Sequence, residues 1–479
     1  MRGMNCGRIV LLFIMFTFRN SSLFLLCSLL TVILHAQPTD YTVEFGDPSL
    51  IHTGKCAIQV SGGSIFYAGH ALNVAADSIY PEFTKLDENG TVIFSGLISP
   101  VESHQTVERM IKDGDSFLLT CNAYSSGDLH PLIIRLDTMG NLMQTISCGS
   151  TSVNNQINGI AVDQDGCILV HGAFPDSLQN NTVQFFAQKF NSNGQLLWSF
   201  LQSDAEKTIG MDCAFLSDGR IILSGDRHTA SGAFNPFLIC LDSTGTKQWE
   251  FEVSSHYNSG NKSIIQSSSG NLVLVGEAAT DSSANFDIIL SEVDTAGNLI
   301  RHKYLRASNE SDAGFHLMET PNHHYLIAGY GYDTIALAKR VVLVETDSTG
   351  TELSRRFYGN SPINIGFSIV PSVYPGVIMA GTDYTNGLNI LVYEPSVNTG
   401  MANIDSDESI FPSLIHSGSE ITLPHSTGQI HIYDIEGRIV FSNSQKTDHL
   451  TLPDFRSGVY VFSGQIRGVF HSSKFIYVK

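Results

Sequence analysis

Charged and aromatic residues are sparse in the polar segments that separate the short apolar runs of this chain. Two carboxylates from different segments could serve glycoside hydrolysis, and a set of tyrosine, histidine and arginine could serve polysaccharide elimination. We treat these residues as candidate binding residues, because the sequence does not show which of them converge. Solvated loop positions are the simpler expectation for each. The candidates are Tyr124, Asp128, Asp226, Arg227, His228, Tyr332, Arg340, Asp383 and Tyr384.

Motifs for metal, phosphate or nucleophilic chemistry are missing from the sequence. It contains no nucleophile elbow, HExxH motif, EF-hand loop or phosphate-binding glycine loop. His323 and His324 are adjacent, and neighbouring residues on a strand point to opposite faces, so they would be poor ligands for one ion. We therefore expect no catalytic residue, no metal site and no cofactor.

The six cysteines that follow residue 36 leave two interpretations open. An even number permits three disulfides in an exported chain, although spacing does not reveal their connectivity. Most of these residues stand inside apolar runs, where free thiols acting as small hydrophobic side chains fit equally well. They are Cys56, Cys121, Cys148, Cys167, Cys213 and Cys240.

A repeat of about 52 residues would build the elements that position the candidate residues. An Asp-x-x-Gly tetrapeptide recurs at separations of 50 to 54 residues, with Asn191 replacing the aspartate once. Aspartate opens tight turns and glycine accepts a positive φ, so the motif predicts a β-hairpin turn rather than a calcium site. The turns end at Gly90, Gly140, Gly194, Gly245, Gly297 and Gly350.

A second marker, a short apolar run that ends in glycine, recurs in step with the first. Cys121 takes this place in the second unit. Together the markers define seven units of four short strands between about residues 50 and 400. This predicts an all-β fold with a seven-bladed β-propeller, and an open β-solenoid or a six-bladed ring with one divergent unit are the alternatives. The marker glycines are Gly69, Gly172, Gly225, Gly276, Gly329 and Gly381.

The two ends of the repeat array predict how it closes. The last unit lacks a fourth strand, and an isolated strand at residues 41–46 precedes the first unit. Their pairing would close a propeller of residues 38–400 and cover its exposed edge. The long connections between the second and third strands would form the binding face. We place these loops at 70–81, 122–131, 176–182, 226–236, 278–286 and 330–340.

Charge and the N-terminal residues predict export. Residues 1–36 are basic, and their two apolar stretches are too short to span a bilayer. We expect a signal peptide cleaved after Ala36, with translation starting at Met1 or Met15. The net charge of −19 argues against nucleic-acid binding and against electrostatic attachment to membranes. We expect a monomer without a stable transmembrane segment.

The C-terminal residues differ in pattern from the repeats. Residues 401–409 predict a polar linker, and residues 410–479 predict a β-sandwich of about seven strands. Residues 432–440, 452–460 and 474–479 carry motifs that resemble the type A C-terminal sorting domain of the type IX secretion system. That family opens with Tyr-Pro-Asn-Pro, where this chain has Phe-Pro-Ser-Leu at residues 411–414.

The resemblance implies passage through the periplasm and the outer membrane. It also implies that residues 410–479 contact the secretion machinery and are then removed, leaving the protein secreted or on the cell surface. We therefore favour an exported binding or interaction protein with a glycan or protein ligand on the propeller loops. The alternative is a secreted polysaccharide hydrolase or lyase, which a carboxylate pair about 5 to 10 Å apart in a funnel would favour.

Overall fold

A computed structural model describes the chain from residue 40 onward, with gaps. The described residues belong to one compact unit, Pro38–Lys479. The predicted signal peptide and the linker at 401–409 lie outside the described residues. The described ranges are 40–98, 104–125, 128–149, 155–176, 182–203, 206–229, 233–253, 258–279, 285–306, 308–395, 397, 414–416, 420–433, 439–443, 447–452, 455, 458–466 and 469–478.

Every regular element in these ranges is a β-strand, which confirms the all-β prediction. A helix long and apolar enough to cross a membrane does not occur among the described residues. The strands of the repeat region are β1 (Tyr41–Phe45), β2 (Ile51–Gln59), β3 (Ile65–Asn73), β4 (Ser78–Leu86), β5 (Val92–Leu97), β6 (His104–Asp113), β7 (Ser116–Ser125), β8 (Asp128–Leu136), β9 (Leu142–Ser147), β10 (Gln156–Val162), β11 (Ile168–Asp176), β12 (Thr182–Phe190), β13 (Leu196–Leu201), β14 (Lys207–Phe215), β15 (Ile221–His228), β16 (Phe234–Leu241), β17 (Lys247–Glu252), β18 (Ser259–Gln266), β19 (Leu272–Ala279), β20 (Phe286–Val293), β21 (Leu299–Leu305), β22 (Ala313–Glu319), β23 (Tyr325–Asp333), β24 (Ala338–Thr346), β25 (Glu352–Tyr358), β26 (Asn364–Pro371), β27 (Val377–Asp383) and β28 (Leu388–Glu394).

Consecutive strands pair antiparallel in groups of four. The groups β10–β13, β14–β17, β18–β21 and β22–β25 are separate sheets. The groups β2–β5 and β6–β9 are joined into one sheet by a single parallel pairing of Ile79 with His104. The last three strands, β26 to β28, take β1 as their fourth strand.

The strand β1 ties the beginning of the repeat region to its end. It pairs antiparallel with β28, from Tyr41 opposite Tyr393 to Phe45 opposite Asn389. The buried Tyr67 in β3 adds a side-chain link, because its hydroxyl donates to the carbonyl oxygen of Gly381 over 2.5 Å. Two elements more than 300 residues apart in sequence are therefore held together by a strand ladder and a buried hydrogen bond.

A buried charged network lies at the same junction. His52 Nδ1 is 2.8 Å from Glu82 Oε2, and both side chains are almost fully buried. Asn389 in β28 donates to the same carboxylate over 3.0 Å. Burial by itself lowers the pKa of His52, but the hydrogen bond and charge of Glu82 outweigh it and raise the pKa. The network therefore links β2, β4 and β28 by charge-assisted hydrogen bonds.

The Asp-x-x-Gly tetrapeptides form the hairpin turns between the third and fourth strands. Asp242 Oδ1 accepts hydrogen bonds from the backbone N–H groups of Thr244 and Thr246, at 2.9 and 3.0 Å. Gly245 has a φ of 85°, a value that glycine adopts without strain. The equivalent aspartates at 87, 137, 294 and 347 accept the same pair of bonds. These are structural turns, as the sequence predicted.

The marker glycines have a different structural reason. In each group the first strand carries a β-bulge opposite the marker, and the register shifts there. A Cβ added at Gly276 would lie 1.8 Å from the carbonyl oxygen of Gly260, and one at Gly329 would lie 1.9 Å from that of Ala313. At Gly276 and Gly329 a side chain would therefore collide with the neighbouring backbone.

The six cysteines after residue 36 are free thiols, which decides between the two interpretations left open by the sequence. All but Cys167 are buried. Burial raises the pKa of Cys56 to about 12 and that of Cys121 well above its usual value. These residues act as small apolar side chains in the cores between sheets.

The C-terminal residues form six described strands, whereas the sequence pattern predicted about seven. The core of this region contains Leu452, Phe455 and Tyr460, which lie in residues 452–460, together with Tyr477. The rings of Phe455 and Tyr460 stack with centroids 5.0 Å apart. The strands are β29 (Leu414–His416), β30 (Glu420–Tyr433), β31 (Ile439–Asn443), β32 (Thr447–Thr451), β33 (Gly458–Ile466) and β34 (Val469–Val478).

Candidate functional site

The first strands of the groups contact one another in a closed order. The strands β2, β6, β10, β14, β18, β22 and β26 touch in succession, and β26 touches β2. Bulges re-aim side chains, and each bulge in these strands adds one half-buried residue between two paired positions. We call this set the bulge ring: Lys55, Glu108, Asn158, Met211, Lys262, Phe315 and Phe367.

Members of the bulge ring from consecutive groups contact each other. Lys55 Nζ is 3.3 Å from Glu108 Oε2 and lies 4.8 Å from the centre of the Phe367 ring. The Phe315 and Phe367 rings meet edge to face, with centroids 5.1 Å apart. Asn158 lies 3.9 Å from the sulfur of Met211. The bulges therefore bring residues that are distant in sequence into contact. The rings of Phe315 and Phe367, which we call the aromatic arc, lie beside the ion pair of Lys55 and Glu108.

Residues of the second strands extend this site. Lys262 Nζ pairs with Glu277 Oε1 at 3.2 Å. Tyr330 lies beside Phe315, with ring centroids 6.1 Å apart. Burial and the charges of Glu277 and Asp312 raise the pKa of Tyr330 to about 12, so its hydroxyl keeps its proton at neutral pH. The site thus combines aromatic rings with paired lysine and glutamate side chains.

In several groups, the residue directly after the marker position forms a hydrogen bond with the first strand of the next group. Asn122 donates to the carbonyl oxygen of Ile157 and accepts from its N–H, at 3.1 and 2.8 Å. Thr382 donates to the carbonyl oxygen of Gly54 over 3.2 Å. His70 accepts from the N–H of Val107, and burial followed by the charge of Lys55 lowers its pKa to about 4. These hydrogen bonds connect neighbouring sheets beside the bulge ring.

Asp226 is the acidic residue among those that form these hydrogen bonds between sheets. Its Oδ1 accepts a hydrogen bond from the N–H of Asn261 over 2.7 Å, and its side chain is buried. Burial raises the pKa of Asp226 to about 7, although Lys262 and the hydrogen bond oppose the shift. The carboxyl therefore titrates near neutral pH inside the protein.

We expect Asp226→Asn to stabilise the protein at alkaline pH. The folded-state pKa exceeds the ordinary value of 3.8, so the wild-type free energy of unfolding falls as pH rises from about 4 to 7. Asparagine keeps the acceptor without the charge, so the variant should be more stable at pH 8 by on the order of 2 to 4 kcal/mol and by less at pH 5. Urea unfolding at both pH values measures this. Asp226→Ala, which loses the acceptor, should not show the gain, and equal gains at both pH values would contradict the titration.

Several predicted site residues have structural roles instead. Arg227 forms ion pairs with Glu250 and Glu252 at 3.3 and 3.4 Å and stacks 3.7 Å above the Phe237 ring. Arg340 pairs with Asp333 at 3.3 Å. Fully buried Asp383 accepts from Ser361 and from the backbone of the following turn. The expectation that these residues are solvated loop positions is wrong, because the strands extend further than the sequence pattern suggested.

The other candidates lie near the ends of the same strands. Asp128 begins β8, whereas Tyr124, His228 and Tyr332 lie near the ends of β7, β15 and β23. Tyr384 follows β27, is 45% exposed and has its ring centroid 6.5 Å from that of Phe367. The structure thus brings Tyr384 beside the bulge ring. The predicted loop at 226–236 overlaps both neighbouring strands, since β15 ends at His228 and β16 begins at Phe234.

Sequence reasoning missed the bulge ring, although a signal for it exists. Lys55, Asn158, Met211, Lys262, Phe315 and Phe367 each precede their marker glycine by 14 residues, and Glu108 precedes Cys121 by 13. An alignment of the repeats on their marker positions would have brought these residues together for inspection.

The charged groups of the site do not form a catalytic arrangement in the described residues. Glu108 is bound to Lys55, Glu277 to Lys262, and Asp226 to a backbone N–H. A general acid or base needs a carboxyl group whose proton can reach the substrate. The geometry supports ligand binding, and we assign no catalytic residue.

One cavity, of about 750 Å³, is lined by residues of the groups β10–β13, β14–β17 and β18–β21. Its charged groups satisfy one another, since Lys189 Nζ is 2.9 Å from Asp163 and lies 5.0 Å from the centre of the Phe215 ring. This cavity presents mostly paired groups and backbone turns, so the bulge ring is the better candidate.

Comparisons with known proteins address the fold. Residues 216–247 match a β-propeller domain of unknown function, DUF5122. An ulvan lyase from a new polysaccharide lyase family, bound to a glucuronic acid and sulfated rhamnose saccharide, is 10% identical, with a TM-score of 0.53 over 74% of this chain and 97% of that one. In sequence the chain matches none of the curated proteins.

Two other solved structures are similar at lower TM-scores. A protein of unknown function from Dyadobacter fermentans has a TM-score of 0.44 and 10% identity over 74% of this chain and 98% of that one. PorZ, a surface component of the type IX secretion system of Porphyromonas gingivalis, has a TM-score of 0.33 and 10% identity over 89% of this chain and 74% of that one. The matching domain and the lyase likeness agree with the observed sheets: the repeats are those of a β-propeller protein.

Proposed function

We propose that this chain is an exported binding protein whose repeats, residues 38–400, form a seven-bladed β-propeller closed by the strand at residues 41–46. The closed order of first-strand contacts and the pairing of β1 with β28 support this blade count and closure. Residues 410–479 form the C-terminal sorting domain, a small β-sandwich, that the sequence motifs suggest.

The ligand, a glycan or a protein segment, binds at the bulge ring. The observation that carries this proposal is that corresponding bulges bring side chains of consecutive groups into contact at one place. The site offers aromatic surface beside hydrogen-bonding charged groups, which is the composition expected of a ligand pocket.

Screening the full chain against an array of neutral and acidic glycans tests this function. We expect selective binding that Phe367→Ala weakens by about tenfold, because truncation removes a ring from the aromatic arc. Phe94→Ala is the matched control, since Phe94 lies on the outer strand β5. Binding that is unaffected by Phe367→Ala would contradict the assignment of the site, and release of shorter glycans would indicate an enzyme.

Residues 410–479 are proposed to direct transport by the type IX secretion machinery. Three of the motif residues, Leu452, Phe455 and Tyr460, pack in one core, so the motif spacing serves a folded module. The proposal also includes cleavage of the leader after Ala36, release or display at the cell surface, and a monomeric state.

Deleting residues 410–479 should stop export at the periplasm. In a host with a type IX secretion system, fractionation should find the truncated protein in the periplasm and the full chain outside the outer membrane. Deleting the same residues in a host without that system should not change the location. If the truncated chain still reaches the cell surface, these residues are not the sorting signal.

A further inference from the structure

Arg109 differs from the other arginines that the structure describes. Its Nη2 donates to the carbonyl oxygen of Lys262 over 3.3 Å, and within the described ranges it pairs with no carboxylate. A guanidinium has five N–H donors, so most of those of Arg109 are available to a ligand. The arginines that do form ion pairs are Arg135, Arg220, Arg227, Arg301, Arg306, Arg340, Arg355 and Arg356.

The contact of Arg109 with Lys262 crosses the space between the first strands. Arg109 belongs to β6, directly after the bulge-ring residue Glu108, and Lys262 belongs to β18. These strands are not neighbours in the closed order of contacts, since β6 touches β2 and β10 whereas β18 touches β14 and β22. The guanidinium is therefore on the axis enclosed by the first strands, next to the bulge ring.

Groups from several sheets surround this guanidinium. Its charge acts on Asp212 of β14 and on His316 of β22. Burial and then Arg109 lower the pKa of His316 to about 3, so this imidazole is neutral. Asp212 accepts bonds from the N–H groups of Ile264 and Cys213, at 3.1 and 3.0 Å, and is not within ion-pair distance of Arg109.

Arg109 is the cation of this site that has no ion-pair partner among the described residues. Lys55 is paired with Glu108, and Lys262 is paired with Glu277. The buried Asp212 compensates the guanidinium through space but has its own hydrogen bonds. A half-buried arginine whose guanidinium makes one hydrogen bond, in a chain of net charge −19, is a site where an anion gains charge-assisted hydrogen bonds.

We propose that Arg109 binds the carboxylate or sulfate group of an acidic saccharide on the axis of the bulge ring. This inference rests on the proposed function and names the ligand class of that site. Arginine binds such groups through two parallel N–H bonds. The rings of Phe315 and Phe367 in the bulge ring, and of Tyr384 next to them, provide apolar surface for the sugar ring, which a free inorganic anion would not use.

Calorimetry on the full chain tests this assignment with two matched probes, a tetramer of glucuronic acid and a tetramer of glucose. We expect the acidic tetramer to bind at least about tenfold more tightly. Arg109→Gln should weaken its binding about 10- to 100-fold and leave the neutral tetramer unchanged. Arg135→Gln is the control, because Arg135 pairs with Asp113 at the far end of β6.

Arg109→Lys keeps the charge but loses the forked donors, so it should bind the acidic tetramer with intermediate affinity. This variant decides the question if Arg109→Gln does not fold. Equal affinity of the wild type for both tetramers would overturn the role of Arg109 and leave the proposed function intact. Binding of neither tetramer, with Arg109-dependent binding of a peptide through its C-terminal carboxylate, would overturn the saccharide assignment. Failure to bind any of the three probes would overturn the assignment of Arg109, whereas the proposed function is judged separately by the glycan array.

Discussion

Removal of residues 38–46 should destabilise the repeat region by about 3 to 6 kcal/mol. The deletion takes away β1, whose Tyr41, Val43 and Phe45 pack in the core with Tyr67 and Tyr393. Losing three partly buried side chains of this size has roughly that cost, and the loss of the ladder also leaves β28 as an open edge. Denaturant unfolding of the shortened chain against the full chain measures the difference.

A peptide of residues 38–46 provides the control for this deletion. Added to the shortened chain, it should restore part of the lost stability, whereas a peptide of the same composition in scrambled order should not. Unfolding of the shortened chain at the same denaturant concentration as the full chain would show that β1 contributes nothing to closure.

Gly276→Ala should destabilise the protein by on the order of 3 kcal/mol. The new Cβ would lie 1.8 Å from the carbonyl oxygen of Gly260, so the backbone of β18 or β19 must move. Cores tolerate such overpacking poorly, because the displaced backbone also carries the ladder bonds of the bulge. Thermal or denaturant unfolding of the variant checks this value.

Gly96→Ala is the matched control for this substitution. Gly96 also lies in a strand, but a Cβ at this position meets no atom within 4 Å. It should therefore change stability by less than about 0.5 kcal/mol. Equal effects of the two substitutions would mean that the marker glycines are not selected by close backbone approach.

The fold was largely predictable because the motif that repeats along the chain consists of turn-forming residues. Each Asp-x-x-Gly turn depends on local hydrogen bonds between Asp242 and Thr246 or their equivalents, so it can be recognised without knowing the tertiary structure. The marker glycines are also visible in sequence, although their cause is not. The clash at Gly276 involves Gly260, and only the paired strands reveal that contact.

The candidate site was less predictable, since long-range geometry determines it. Asp226 and Arg227 stand in a polar stretch that resembles a loop, yet they lie in β15 and are held by an inter-sheet bond and by ion pairs. Whether a polar residue is a strand end or a loop depends on the partner strand, which the local pattern does not contain. Arg109 could not be identified as a site residue from the sequence, because the residues around it come from other repeats.

The distribution of the free thiols has a practical consequence. Described cysteines occur from Cys56 to Cys240, and the groups from β18 to β28 contain none. A thiol reagent reacts with the thiolate, which burial suppresses at the five cysteines other than Cys167, so labelling of these five requires local opening of a core. The rate of alkylation of the buried thiols would therefore report how often the cores in the first half of the repeats open. An oxidant would leave these buried sulfur atoms unaltered while the protein stays closed.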